Sequence, residues 1–240
     1  MASASERGHA KNAALFERLI SFCADYGAAY NPSKAEISLA ALTALRANAL
    51  NSLGTVNTTK TAFINAVNVR TTAFAPLKKL SAKIINALEA AGAADQLAKD
   101  AKSINRKIQG KRNRVKPKSP AAEDKTISAS QRYGDSLLEH FTKLIELLSA
   151  EPTYAPNETD LQVSALIIRL GDLKIANTAV INAYANYNNA RITRNAILYS
   201  AVGGLAGIAG EVKKYVKSVF GAGSPQFKQV SKLVFKKAKD

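Results

Sequence analysis

The sequence predicts an all-α protein built from two tandem, diverged copies of a long-helix bundle unit. Three observations predict it. Alanine and leucine, the strongest helix formers, recur along most of the chain. β-Branched runs with alternating polarity are scarce, which removes the period expected of half-buried strands. The chain also matches itself: Tyr30-Asn31-Pro32-Ser33 aligns with Tyr154-Ala155-Pro156-Asn157, and Phe16, Leu19 and Ile20 align with Phe141, Leu144 and Ile145.

The first element expected is a helix from about Ala10 to Tyr26. A turn follows at Tyr30 to Pro32, and Ser33 with Glu36 has the spacing of a capping box, as Asn157 with Asp160 has in the second copy. A long helix from Ser33 to about Ala75 carries Leu39, Leu42, Ala49, Leu53, Val56, Phe63, Val67 and Phe74 at helical spacing. Its counterpart carries Val163, Leu166, Leu170, Leu173, Val180, Tyr184, Tyr187 and Leu198, with Arg70 and Arg194 at corresponding places.

Gly54 with Thr55, Asn57, Thr58 and Thr59 reads locally as a break into a hairpin. The matching stretch Leu173 to Ile181 keeps its apolar period, which favours one continuous helix. Pro76 marks a kink or a new first turn before helices at Pro76 to Ala91 and Ala93 to Gln109. The second copy is expected to repeat the set, with seven further residues near Ala201 to Gly207 lengthening a helix, and with Ser224-Pro225 as an N-cap and a first-turn proline. The domains expected are residues 1–109 as repeat unit 1, 110–129 as a basic exposed linker and 130–240 as repeat unit 2.

Composition narrows function more than motifs do. With 34 Lys and Arg against 18 Asp and Glu, the formal net charge is +16, which attracts polyanions without naming one. Arg106, Lys107, Lys111, Arg112, Arg114, Lys116 and Lys118 lie in a window without acids between Asp100 and Glu123. Lys213, Lys214, Lys217, Lys228, Lys232, Lys236, Lys237 and Lys239 form a second acid-free tract before Asp240. Exposed lysine and arginine bind phosphates irrespective of base sequence, so these tracts are candidate polyanion contacts; the competing reading is a solubilising surface. Tyr184, Tyr187, Tyr199 and Tyr215 suit base stacking, but their helical spacing favours packing.

Gly203, Gly207 and Gly210 recur at helical spacing and read as a bare strip against which another helix packs. Cys23 is a lone thiol in an apolar stripe and reads as inert and buried. His9 and His140 have no companions at zinc-ligand spacing, the acids are dispersed, and no nucleophile elbow, phosphate loop or dinucleotide fingerprint occurs. No catalytic residue, metal or cofactor is therefore assigned. The uncharged stretch Asn195 to Gly210 is too short to span a bilayer, and the polar opening from Met1 to Asn12 resembles no secretory signal, so a cytoplasmic location is expected.

The phrases Ala75-Pro76-Leu77-Lys78-Lys79-Leu80, Ile104-Asn105-Arg106-Lys107-Ile108-Gln109-Gly110-Lys111-Arg112 and Tyr215-Val216-Lys217-Ser218-Val219-Phe220-Gly221 are similar to stretches of uncharacterised bacterial helical proteins. The resemblance spans most of the chain and implies no activity, ligand or catalytic motif. Three functional readings follow from the residues. The first is a non-catalytic binding or scaffold protein whose basic tracts take nucleic acid or another polyanion. The second is a structural protein that associates through its helices with itself or another protein, and the third is a peripheral binder of anionic membrane.

Overall fold

The computed structural model describes residues 4–110 and 129–236, and every regular element among them is helical. The helices are α1 (Ala4–Asp25), α2 (Leu39–Phe74), α3 (Leu77–Ala90), α4 (Asp95–Ile108), α5 (Ala129–Ser149), α6 (Val163–Tyr199), α7 (Leu205–Phe220) and α8 (Pro225–Ser231). Short 3-10 turns stand at Gly27–Ala29, Ala35–Ile37 and Thr159–Leu161.

The expected long helices are continuous, with 36 residues in α2 and 37 in α6. The threonines that made α2 look breakable turn their hydroxyls back along the helix. Thr55 donates to the Asn51 carbonyl at 3.0 Å, Thr58 to Gly54 at 3.1 Å and Thr61 to Asn57 at 3.0 Å. Each hydroxyl is thereby satisfied within the helix and does not compete for it.

Both long helices start later than the capping-box spacing suggested. Ser38 caps α2, its hydroxyl accepting from the Ala41 amide at 3.3 Å, while Glu36 lies in the 3-10 turn and Ser33 in the loop before it. Asp160 likewise lies in a 3-10 turn, and α6 begins at Val163. The physical reason is a buried tyrosine. Tyr30 donates to the Ile37 carbonyl at 2.6 Å and Tyr154 to the Leu161 carbonyl at 2.9 Å, which holds each loop folded back on itself before the helix starts.

Two further expectations are corrected. The added residues near Ala201 do not make turns of one helix: five residues, 200–204, join α6 to α7 where two, 75–76, join α2 to α3, and α7 has 16 residues against 14 in α3. The last helix is also shorter than the expected repeat of α4, 7 residues in α8 against 14 in α4. Ser224 does cap α8, accepting from the Phe227 amide at 3.1 Å, with Pro225 in the first turn.

The chain packs as two compact units. One comprises residues 1–62 with 184–240, the other residues 63–183. In the first, Phe16, Leu19 and Cys23 of α1 bury against Leu205, Val212 and Val216 of α7, with Leu42 of α2 and Val230 of α8. In the second, Ile84 and Leu88 of α3 and Ile108 of α4 bury with Phe141 and Leu144 of α5 and Leu166 of α6. Fully burying each such side chain contributes about 1.5–3 kcal/mol. Residues 1–109 and 130–240, the two units expected from the sequence, each contribute to both of these compact units.

Candidate polyanion-binding surface

Amphipathic helices settle which cations face water. On α4, Ala101 and Ile108 point into the core, which leaves Lys102, Arg106 and Lys107 exposed on the remaining face. Lys102 pairs with Glu89 of α3. Arg106 and Lys107 form no ion pair among the described residues, and both fall in the last turn of α4, where cations complement the helix dipole.

The end of α4 is fastened to α3. Gln109 donates its side-chain amide to the Lys78 carbonyl at 2.7 Å and to the Ser81 hydroxyl at 3.2 Å. The Lys78 ammonium consequently lies beside Gly110, 3.9 Å from where a Cβ would stand. Exposed Lys78 and Lys79 therefore belong to the same unit as Arg106 and Lys107, although sequence spacing did not single them out. Their signal was the Lys78-Lys79 pair on the polar side of an otherwise clear α3 stripe.

Lys107 also bears on α5. Burial holds the His140 imidazole below its ordinary pKa, and the nearby charges of Lys107 and Lys143 push it the same way, against Glu139. His140 Nδ1 is buried and has no hydrogen-bond partner among the described residues. Lys143 is engaged with Glu139 at 2.5 Å one turn earlier.

In the other unit the second basic tract divides by its surroundings. Lys213 is half-buried, donates to the Leu233 carbonyl and lies 5.3 Å from the centre of the Phe235 ring. Lys217 lies 5.8 Å from the Phe227 ring centre, within cation–π range. Lys228, Lys232 and Lys236 are exposed and form no ion pair among the described residues. Lys111, Arg112, Arg114, Lys116, Lys118 and Lys237, with most of the expected linker, lie outside the described residues.

The placement of Lys232 and Lys236 depends on a residue that sequence reasoning missed. Asn12 is fully buried on the apolar face of α1; its amide donates to the Lys236 carbonyl at 2.8 Å and its oxygen accepts from the Lys236 amide at 2.9 Å. The segment after α8, which has no regular structure, is thereby held as a strap, with Phe235 edge-on to Phe16. The available signal was an asparagine at core spacing with Phe16, Leu19 and Cys23.

The remaining sequence candidates are placed elsewhere. Gly203 has φ +75° in the turn before α7, whereas Gly207 and Gly210 lie on the helix, so the three do not form one helical strip. Beyond the backbone of its own helix, a Cβ at Gly207 would come no closer than 4.0 Å to its surroundings, and one at Gly210 would meet nothing within 4 Å, among the described residues. Tyr215 packs edge-on against Tyr30 with ring centres 5.3 Å apart and accepts from the Asn31 amide. The Tyr199 hydroxyl lies 2.6 Å from His9 Nδ1. Arg70 and Arg194 are both buried; Arg70 donates to Asn177 at 3.2 Å and Arg194 to Asn195 at 2.9 Å. These two cations face protein groups.

One groove, of about 420 Å³, runs beside α3 and the start of α6, lined by Pro76, Leu80, Leu166 and Ile168 with Lys79, Lys83 and Arg169 opposed by Asp160 and Asp172. Its mixed charge distinguishes it from the last turn of α4, which carries Arg106 and Lys107, and from the exposed Lys228, Lys232 and Lys236 around and after α8. Among the described residues no helix is long and apolar enough to cross a membrane. No family model, curated protein or solved structure matches the chain.

Proposed function

We propose that this is a non-catalytic helical binding protein, made of two diverged tandem copies, that takes nucleic acid or another polyanion non-specifically on its basic surfaces. The observation that carries the reading is the exposure, without an ion pair among the described residues, of Arg106 and Lys107 at the end of α4 and of Lys228, Lys232 and Lys236 around α8. A net charge of +16 adds long-range attraction. Contacts of this type read phosphate spacing and charge, so discrimination between base sequences is small.

The duplication is supported by details beyond the sequence match. Tyr30 to Ile37 and Tyr154 to Leu161 are equivalent hydrogen bonds closing equivalent loops, each before a helix of nearly the same length. The corresponding Arg70 and Arg194 are both buried. Two copies present basic surfaces more than once, and paired sites on one chain raise avidity for a long polyanion.

A second reading, association through helices, is favoured by Ile168 and Ile175, which stand 67% and 71% exposed seven residues apart on α6. Fluorescence anisotropy with labelled duplex DNA and single-stranded RNA across a salt series separates the two. Polyanion binding gives affinity that falls linearly in log–log form with salt and varies little with sequence. Absence of binding at low salt would sink it in favour of the scaffold reading.

A further inference from the structure

We propose that the groove between α3 and the start of α6 is a binding site for an aliphatic carboxylate of medium chain length. Its lining lies within the unit of residues 63–183, and binding there does not require that the chain bind polyanions. Two helix faces form the walls. Lys79, Leu80 and Lys83 share one side of α3, and Ala165, Arg169 and Asp172 share one side of α6, each set at spacings of three and four. Seven residues of helix rise about 10 Å, so the walls make a trough about that long, which suits an extended ligand.

The charges select the head group. Lys83 meets Asp160 at 3.4 Å, which bridges the two walls at one end. From that bridge α3 runs back to Lys79 while α6 runs forward to Arg169 and Asp172, which sets these three charges toward the other end. None of the three forms an ion pair among the described residues. With Lys83 and Asp160 balancing each other, that end holds two positive charges and one negative, and a single further negative charge neutralises it. A monocarboxylate supplies that charge and matches the planar N–H fork of an arginine. In the sister copy proposed above, the places of Arg169 and Asp172 hold Leu45 and Asn48, so a helix of this kind forms without the two charges.

Between the charged ends the trough is apolar. Leu166 is fully buried beneath it, Leu80 is half-buried and Ile168 stands 67% exposed at its rim. An alkyl chain laid along Leu80 and Ile168 removes apolar surface from water on both partners, and each methylene fully buried in this way raises affinity about fourfold. The volume of about 420 Å³ is that of a small-molecule cleft. A chain of about eight carbons matches the roughly 10 Å length of the walls.

The probe is octanoate, titrated at fixed ionic strength and below its micelle-forming concentration into the full-length chain with labelled Ile and Leu methyl groups. Methyl signals of Leu80, Leu166 and Ile168 should shift together and saturate, while those of Ile64 and Ile192, exposed elsewhere, should stay in place. Octylamine, with the same chain and the opposite charge, should bind at least about fivefold more weakly. Lys79→Gln and Arg169→Gln should each weaken octanoate by about fivefold, and Asp172→Asn should strengthen it by a similar factor. Lys60→Gln, which removes the same charge from an exposed position on α2, should leave octanoate affinity unchanged. These side chains are all exposed, so the variants keep the fold. The proposal is overturned if the three groove methyls do not shift, if Ile64 and Ile192 shift alongside them, if octylamine binds as well as octanoate, or if Asp172→Asn and Lys79→Gln bind octanoate alike.

Discussion

The Tyr30 hydroxyl donates to the Ile37 carbonyl at 2.6 Å from a side chain only 5% exposed. The ring thereby closes the loop before α2 and sets the 3-10 turn at Ala35–Ile37. Tyr154 makes the same bond to Leu161 before α6. Tyr30→Phe and Tyr154→Phe should each cost about 1–3 kcal/mol, because a buried carbonyl loses its donor. The two costs should add within about 0.5 kcal/mol, since the residues share no partner. Urea unfolding of both single variants and the double variant checks this, and a negligible effect of either single change would contradict the role given to the tyrosine.

Asn12 holds the strap after α8 through two hydrogen bonds to Lys236. Asn12→Ala should leave both backbone groups of Lys236 without their partner and release the segment, at a cost of about 1–3 kcal/mol. Hydrogen exchange followed by mass spectrometry should show faster exchange in a peptide covering Leu233 to Lys236, with α3 and α5 unchanged. Equal exchange in variant and wild type would show that the strap is held by Phe235 and Lys213 alone.

Burial pushes the Cys23 thiol up from 9.0 to about 12, the hydrogen bond with Tyr30 opposing the rise. Burial likewise raises Tyr154 to about 12, with Asp160 and Glu158 adding to it. For an acid whose folded pKa is raised, the folded state keeps its proton longer than the unfolded state. The associated stability is complete below pH 9 and declines as pH rises toward 12. Each such group gives at most about 1.4 kcal/mol per pH unit within that window. Cys23→Ala should make the loss shallower between pH 9 and 10.5, as read from urea midpoints; an unchanged slope would contradict a buried, protonated thiol.

Local periodicity made the helices legible, and Leu39 to Phe74 could be read as one helix because the matching stretch Leu173 to Ile181 keeps its apolar period, with only Asn177-Thr178 as a weak turn signal. Caps were less legible. Ser33 with Glu36 has the right spacing, yet the Tyr30–Ile37 bond moves the start to Leu39, and a bond across seven residues leaves no local signature. The short α8 was missed for a similar reason: Asn12, far away in sequence, binds Lys236 where helical periodicity alone continues. The joining of Phe16 with Val212, and of Leu88 with Phe141, is a property of tertiary packing that neither stripe reveals. Of the basic candidates, Lys217, Lys228, Lys232 and Lys236 are exposed and Lys213 is half-buried, and both Lys213 and Lys217 lie over aromatic rings that spacing did not anticipate.

The measurement closest to the functional claim is salt-titrated anisotropy of the wild type beside a variant carrying Arg106→Gln, Lys107→Gln, Lys228→Gln, Lys232→Gln and Lys236→Gln. These side chains are exposed, so circular dichroism should be unchanged. Each phosphate contact removed should reduce the magnitude of the log–log salt slope on duplex DNA by about 0.9, and affinity at low salt should fall on every sequence alike. An unchanged slope and affinity in this variant, with helix content intact, would contradict the account.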